Sequence, residues 1–508
     1  MNLNMRTFFK IPVAAILILT AASCDDFLDV NENPNSPSGP TLPLSAKLPA
    51  ALVSTVNQET LQLNQIGALW GGYWGTSNEG ISMFVDLKTY NGPAIRHQRD
   101  GIHVWEDGYA NMLYYKLILD EAEAEDELFY AGIARIMLGW HFMRLVDMYN
   151  AIPFDDALAG TEHPTPRYED GQSVYEKSVN LITEGITNIS NAPAGTGPGK
   201  DDVLFNGSKV LWEKFGNTVK LRALLRQSEV TEQKAYIDAE LAKIAGEGSG
   251  FLGAGESALV QPGYLNTAGK LNPFWESYYK SVQGVATANY QDIRPTVFLI
   301  EQYTLLDDPR LHTLYVDVAG NYNGVLFGNP DVAPEYSRAN TSAFKGPDEN
   351  DGQPGALFKS PTQSSVLLSS FESLFLQAEA AQRGWIDGNA SDLYETAIAQ
   401  SFDYMEVDAS EFPVYVAQPS VRLDDAADKI TRIIEQKWLA LNSISSIEAW
   451  NDYRRLGVPE IPNSLDAPSP TSRPLRLMYP ETERMTNNEE ASRVGSDDML
   501  TQRVWWDR

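Results

Sequence analysis

Eight side chains in two loop-like stretches are suited to holding a polar molecule rather than to reacting with it. Trp70, Tyr73, Trp74 and Asn78 fall in and beside the run Trp70-Gly71-Gly72-Tyr73-Trp74-Gly75. Trp275, Tyr278, Tyr279 and Tyr290 form the second set. Indole and phenol rings offer flat apolar faces with one polar edge, and an amide offers a donor and an acceptor. Sugars fit that combination, because their C–H faces stack on rings while their hydroxyls need amide or carboxylate partners. Both sets lie in irregular sequence between periodic segments, where binding residues concentrate. By contrast Trp105, Trp140, Trp212, Trp438 and Trp450 sit in helical patterns and read as scaffold.

Reactive chemistry has no comparable support. Neither a P-loop nor a nucleophile elbow nor a zincin motif is present. Gly248-Ser249-Gly250-Phe251-Leu252-Gly253 matches a dinucleotide fingerprint only in its letters: it follows a helix instead of a strand, and reads as a flexible turn. Asp348, Asn350 and Asp351 lack the spacing of a calcium loop and read as solvated acidic sequence. One cysteine and five histidines leave no thiolate zinc site and little histidine chemistry. No catalytic residue, metal or cofactor is expected. With 68 acidic residues, carboxylate pairs at any spacing carry no information about glycoside hydrolysis.

That one cysteine has its own chemistry. Arg6 and Lys10 precede an apolar run from Ile11 to Ala22, shorter than the ~20 residues needed to cross a bilayer. Ala21-Ala22-Ser23-Cys24 then places the thiol where a bacterial lipoprotein signal is cut and acylated, although such sites more often have Leu in place of Ala21. The expected organisation is a leader over 1–23 and a lipidated tether over 24–43, rich in Asn, Pro and Ser, followed by one large unit over 44–508. Thioether lipidation of Cys24 would hold a soluble body at a membrane.

The body must position the binding residues, and it reads as mainly α-helical. Apolar residues recur at helical spacing over Trp105–Glu125, Phe129–Met148, Ser173–Ile189, Leu211–Gln227, Phe371–Arg383, Ala390–Met405, Ala427–Asn442 and Ile447–Leu456. Phe129–Met148 carries two apolar stripes, as a helix sandwiched between neighbours does. Ala378, Gly384, Ala390, Tyr394 and Ala397 have the spacing of a tetratricopeptide helix pair, a unit that needs stacked neighbours to bury its face. Asn64–Tyr90 and Gly246–Leu368 read as irregular, and no stretch shows sustained strand alternation. Net charge is −29, from 39 basic and 68 acidic residues, which argues strongly against nucleic acid as a partner.

Several motifs in order resemble the SusD/RagB family of nutrient-binding outer-membrane lipoproteins. Phe27-Leu28-Asp29-Val30-Asn31 through Asn35 is similar to that family's mature N-terminus. Leu145 to Phe154 resembles its helix-to-loop signature, with Asn150 where Gly is common. Further likeness lies in Trp212 to Asn217 with Leu221-Arg222, in Asp308 to Leu311, and in Ala378 to Ala381. It continues through Ile434 to Leu441, Glu448-Ala449-Trp450 to Arg454-Arg455, and Arg476 to Pro480. The resemblance implies about four tetratricopeptide-like helix pairs with a loop-rich ligand-binding portion. It implies a SusC-type TonB-dependent transporter as partner, and a cell-surface position on the outer membrane, which Asp25 and Asp26 fit. It implies a glycan or, as in the RagB branch, a peptide ligand, and a binding protein instead of an enzyme; a surface hydrolase is the reading from another class. Ligand residues lie outside the shared motifs, so the eight side chains above rest on loop placement alone.

Overall fold

The computed structural model describes residues 42–98 and 101–507. The leader, Cys24 and nearly all of the tether lie outside the described residues. Helix α1 (Leu44–Gln58) continues through a π-turn, Glu59–Leu63, into α2 (Asn64–Trp70). Part of a stretch that reads as irregular is therefore helical. Asn64, Ile66, Gly67, Ala68, Leu69 and Trp70 are all buried, so α2 shows little of the amphipathic period by which a surface helix is recognised.

Four helix pairs follow. The first is α3 (Val104–Ala124) with α4 (Leu128–Tyr149), and the second is α5 (Gly171–Asn191) with α6 (Lys209–Arg226). A loop-rich portion over residues 248–369 comes next, and its longest helix is α7 (Val297–Leu305). The third pair is α8 (Ser370–Gln382) with α9 (Ala390–Tyr404), and the fourth is α10 (Lys429–Leu441) with α11 (Ser446–Leu456). Each observed span lies within about two residues of its periodic stretch, the accuracy expected at frayed ends.

Helix α4 is buried along nearly its whole length because α3 and α5 cover opposite sides. The α4–α5 approach is close enough that a Cβ on Gly139 would lie 2.8 Å from Ser178 O. In the third pair Ala378, Tyr394 and Ala397 are fully buried, and Tyr394 Oη donates to Val421 O at 2.6 Å.

All four pairs, with the π-turn, contribute to one buried ionic spine. Arg144 of α4 binds Glu59 at 2.9 Å and Glu448 of α11 at 2.6 Å. Arg226 of α6 also binds Glu448. Arg222 of α6 binds Glu372 of α8 at 2.6 Å, and Arg455 of α11 binds Glu379 of α8 at 2.6 Å. Lys437 of α10 reaches Asp452 at 2.8 Å. Burial alone would raise the Glu448 carboxyl, but Arg222, Arg226 and Arg144 outweigh it and hold the group well below the usual carboxylate range.

Short strands complete the fold in three antiparallel pairs. They are β1 (Trp74–Thr76) with β5 (Ile293–Pro295), β2 (Ile152–Pro153) with β3 (Tyr168–Glu169), and β4 (Ala258–Val260) with β6 (Ser365–Leu368). Two to four residues are too few for alternation to be visible in sequence.

One buried histidine gives the fold a pH dependence. Burial, and then the Arg144 charge, push His141 down to about 3; its Nε2 lies 2.9 Å from Thr55 Oγ1. An unfolded histidine takes its proton near pH ~6.5. Between about pH 6.5 and 3 the unfolded state therefore binds more protons, and stability falls as pH falls, by up to about 1.4 kcal/mol per pH unit. Urea unfolding at neutral and mildly acidic pH should show greater acid sensitivity in the wild type than in His141→Gln. Equal sensitivity would contradict this assignment.

Candidate ligand groove

Seven of the eight side chains singled out by type and loop placement are buried rings. Trp70 ends α2, donates Nε1 to Leu87 O at 3.0 Å and packs on Trp450 at 5.0 Å between centroids. Tyr73 stacks on Trp438 at 4.8 Å and donates to Trp438 O at 2.6 Å. Trp74 donates to Ser443 Oγ at 2.8 Å and lies against Tyr278. Tyr278 is 2% exposed, and Trp275 packs edge-on against Tyr279 at 4.7 Å. Tyr279 stacks on Phe358 at 5.0 Å, and Tyr290 donates to Phe344 O at 3.0 Å. Their ring faces meet protein, and the polar edges of Trp70, Tyr73, Trp74, Tyr278, Tyr279 and Tyr290 have protein partners, so none offers a solvent-facing platform here. A large ring in a Gly-rich connection gains more by folding onto the scaffold than by standing in water.

The first stretch nevertheless leads to a groove. Strand β1 pairs with β5, and β5 leads directly into α7. Thr296 caps α7 by accepting from Leu299 N at 3.1 Å, and donates Oγ1 to Gly72 O at 2.6 Å. The segment 322–327 lies along the start of α7: Val297 N donates to Val325 O, and Val325 N to Pro295 O, each at 2.9 Å. Gly324 permits this approach, since a Cβ there would lie 2.5 Å from Thr296 C.

A cavity of about 690 Å³ opens along α7, lined by Val297, Glu301, Tyr322, Asn323, Glu335, Tyr336 and Asn340 among others. A second cavity, about 250 Å³, adjoins it through Val297 and Glu301 and is walled by Phe298, Leu326, Phe327 and Ile461. Together they form one groove with a polar, tyrosine-bearing end and an apolar end. The combined space is of the size that holds a small ligand. Tyr322 and Tyr336 are both half-buried, with part of each side chain open to solvent. Tyr322 Oη lies 2.8 Å from His312 Nδ1, and burial followed by the Asp317 charge raises its phenol.

The loop carrying Glu335 and Tyr336 is tied down from below. Asn78 Nδ2 donates to Val332 O at 3.1 Å and to Ala333 O at 3.0 Å. Arg338 makes a two-point ion pair with Asp292, both contacts at 2.7 Å. Burial would raise Asp292, but hydrogen bonds from Arg338 and Ser77 prevail and lower it. Beneath the loop the Arg294 guanidinium, pushed down to about 10 by burial, binds Thr341 Oγ1 at 3.0 Å. Of the eight side chains, Asn78 alone directly braces the groove. Tyr322, Tyr336, Glu301 and Glu335 were not singled out in sequence. Their signal was weak: two tyrosines among Asn, Gly and Pro inside the long irregular stretch.

Other cavities differ in kind. One inside the ionic spine has about 20 Å³, room for no more than a water molecule. Another, about 480 Å³, is lined by Tyr453, Arg455, Arg473, Arg503 and Asp507 and is chiefly cationic. Among the described residues no group of three or more His, Cys, Asp and Glu could hold a metal ion. None of the described helices is long and apolar enough to cross a membrane.

Known structures share this architecture. A SusD homolog from Bacteroides uniformis matches with a TM-score of 0.72 at 22% identity, covering 91% of this chain and 99% of its own. A chitin-binding SusD homolog from Flavobacterium johnsoniae matches with a TM-score of 0.71 at 22% identity, covering 91% and 98%. A SusD homolog from Bacteroides fragilis gives 0.73 at 18% identity, covering 92% and 100%. At such identity the likeness carries the fold. No curated protein matches the chain. The SusD-like family model, described as starch-binding and associating with the outer membrane, matches residues 41–480. The chain, with its four helix pairs and loop-borne groove, belongs to the SusD-like family.

Proposed function

We propose that this protein captures oligosaccharides at the cell surface and delivers them to a SusC-type TonB-dependent transporter in the outer membrane. The observation that carries the reading is the groove beside α7, where two half-open tyrosines, two amides and two carboxylates adjoin an apolar niche on a SusD-like scaffold. Rings serve the C–H faces of a sugar and the polar groups serve its hydroxyls. The buried rings from Trp70 to Tyr290 enter this reading as scaffold and not as sugar platforms. Cys24 enters it as the lipid anchor and the acidic residues beside it as the surface-export signal.

Calorimetric titration of the detergent-solubilised protein against neutral oligosaccharides and peptides tests the reading. Saccharide binding supports it, whereas peptide binding alone would transfer the groove to a peptide ligand. Product release on incubation with the bound saccharide would instead make the protein a hydrolase. Replacing Asn78 with Ala should lower saccharide affinity a few-fold, since two bonds to the loop, worth about 1 kcal/mol each, are lost and only part of that loss is transmitted to the ligand. Hydrogen exchange over 329–341 should rise in the same variant; unchanged exchange would remove Asn78 from the site. Cys24→Ala should leave the membrane fraction, because acylation supplies the anchor. A large β-barrel should co-purify with the wild type in mild detergent.

A further inference from the structure

The groove has a distinct polarity. Its lining residues include Glu301 and Glu335 and no lysine, arginine or histidine in either cavity. Cations near it are engaged elsewhere: Arg338 is held on Asp292, Arg473 donates to Ile461 O at 2.5 Å from outside the apolar end, and Arg294 is 3% exposed and bound to Thr341 and to backbone carbonyls. The amide nitrogens of Asn323 and Asn340 already donate to Asn340 O at 3.0 Å and Pro334 O at 2.8 Å. Each amide keeps a second N–H and the tyrosine hydroxyls can donate, but the charged groups that line the groove are both carboxylates. Neither Glu301 nor Glu335 forms an ion pair among the described residues.

We infer that the groove selects saccharides by charge, taking neutral and amino-sugar oligosaccharides and rejecting those that carry carboxylate or sulfate groups. The inference rests on the reading of this groove as the saccharide site. Hydroxyl and ammonium groups donate to carboxylate and amide oxygens, and a ligand ammonium pairs with Glu301 or Glu335. A uronate or sulfate meets like charge, finds no cation to replace its lost water, and is disfavoured. The protein's charge of −29 acts in the same direction at longer range. Screening has a length of about 10 Å at 0.1 M salt, so the discrimination must weaken as salt is raised.

The test uses the detergent-solubilised full chain and oligosaccharides of matched length. The neutral arm comprises cello-, malto- and N-acetylchito-oligosaccharides. The cationic arm is deacetylated chito-oligosaccharide, and the anionic arm comprises oligogalacturonate and oligoglucuronate. Expected is binding in the neutral or cationic arm, with the anionic arm at least about tenfold weaker, a gap of about 1.4 kcal/mol. In Glu301→Gln/Glu335→Gln the ratio of anionic to neutral or cationic affinity should rise several-fold, and salt should matter less. An anionic saccharide bound as tightly as the others, or a ratio unchanged in the double variant, overturns the charge inference and leaves saccharide capture standing. Binding in no arm overturns both.

Discussion

Glu448→Gln should destabilise the protein by about 3–5 kcal/mol, the usual cost of breaking a buried ion pair from one side. Glu448 lies at the centre of the spine, 2.6 Å from Arg144 Nη1, bonded to Arg226 and 3.7 Å from Arg222. Glutamine keeps the shape but removes the charge that the three guanidiniums share. Their other partners, Glu59, Asp147 and Glu372, cannot compensate without moving whole helices. The midpoint of urea unfolding should therefore fall sharply, or the folded protein should not accumulate. Lys116→Ala, which breaks the exposed pair with Asp120 on α3, is the control and should leave the midpoint unchanged. Equal effects of the two substitutions would contradict a role for the spine in joining the helix pairs.

The second large effect concerns binding. Tyr322→Ala and Tyr336→Ala should each weaken saccharide binding about tenfold, or about 1.4 kcal/mol. A sugar face laid on a phenol ring removes apolar surface from water, and this, with contact geometry, reaches about 1–2 kcal/mol. Tyr322 must be read with His312, which shares its hydroxyl at 2.8 Å. Tyr322→Phe retains the ring and loses that bond, so it should keep most of the affinity. If Phe were as damaging as Ala, the hydroxyl and not the ring face would be the binding element. Both side chains are partly open to solvent, so the fold should tolerate every one of these changes.

The helical frame was legible because its signal is periodic. The four pairs follow apolar spacing set by burial on one or two sides, and the shared motifs mark their junctions. Glu379 in Ala378-Glu379-Ala380-Ala381, Arg222 after Leu221, and Glu448 and Arg455 around Trp450 are members of the ionic spine. Those motifs thus report how helices join, which explains why they identify the architecture and leave the ligand open. Helix α2 was not legible because burial on all sides erases amphipathicity. The groove was harder still. Ring density and glycine content pointed to Trp70–Asn78 and Trp275–Tyr290, but whether a loop ring faces water or scaffold depends on long-range packing. Trp74 Nε1 meets Ser443 Oγ, 369 positions away in the chain, which no local pattern encodes. Asn78, singled out as an amide partner for ligand hydroxyls, instead spends its Nδ2 on fastening the loop that carries Tyr336.

The charge of the groove separates it from the other large cavity. The other cavity is lined by four arginines and one carboxylate, Asp507, whereas the groove beside α7 is lined by rings, amides and two carboxylates. The two sites therefore make opposite demands on a saccharide, and the location of a bound one discriminates between them. The most direct measurement is a crystal structure of the protein with the saccharide that titrates tightest. The account predicts sugar rings lying along α7 against Tyr322 or Tyr336, with hydroxyl or amino groups on Glu301, Glu335 or the Asn323 and Asn340 side-chain oxygens. Saccharide found in the arginine-lined cavity, or anywhere outside the α7 groove, would contradict it.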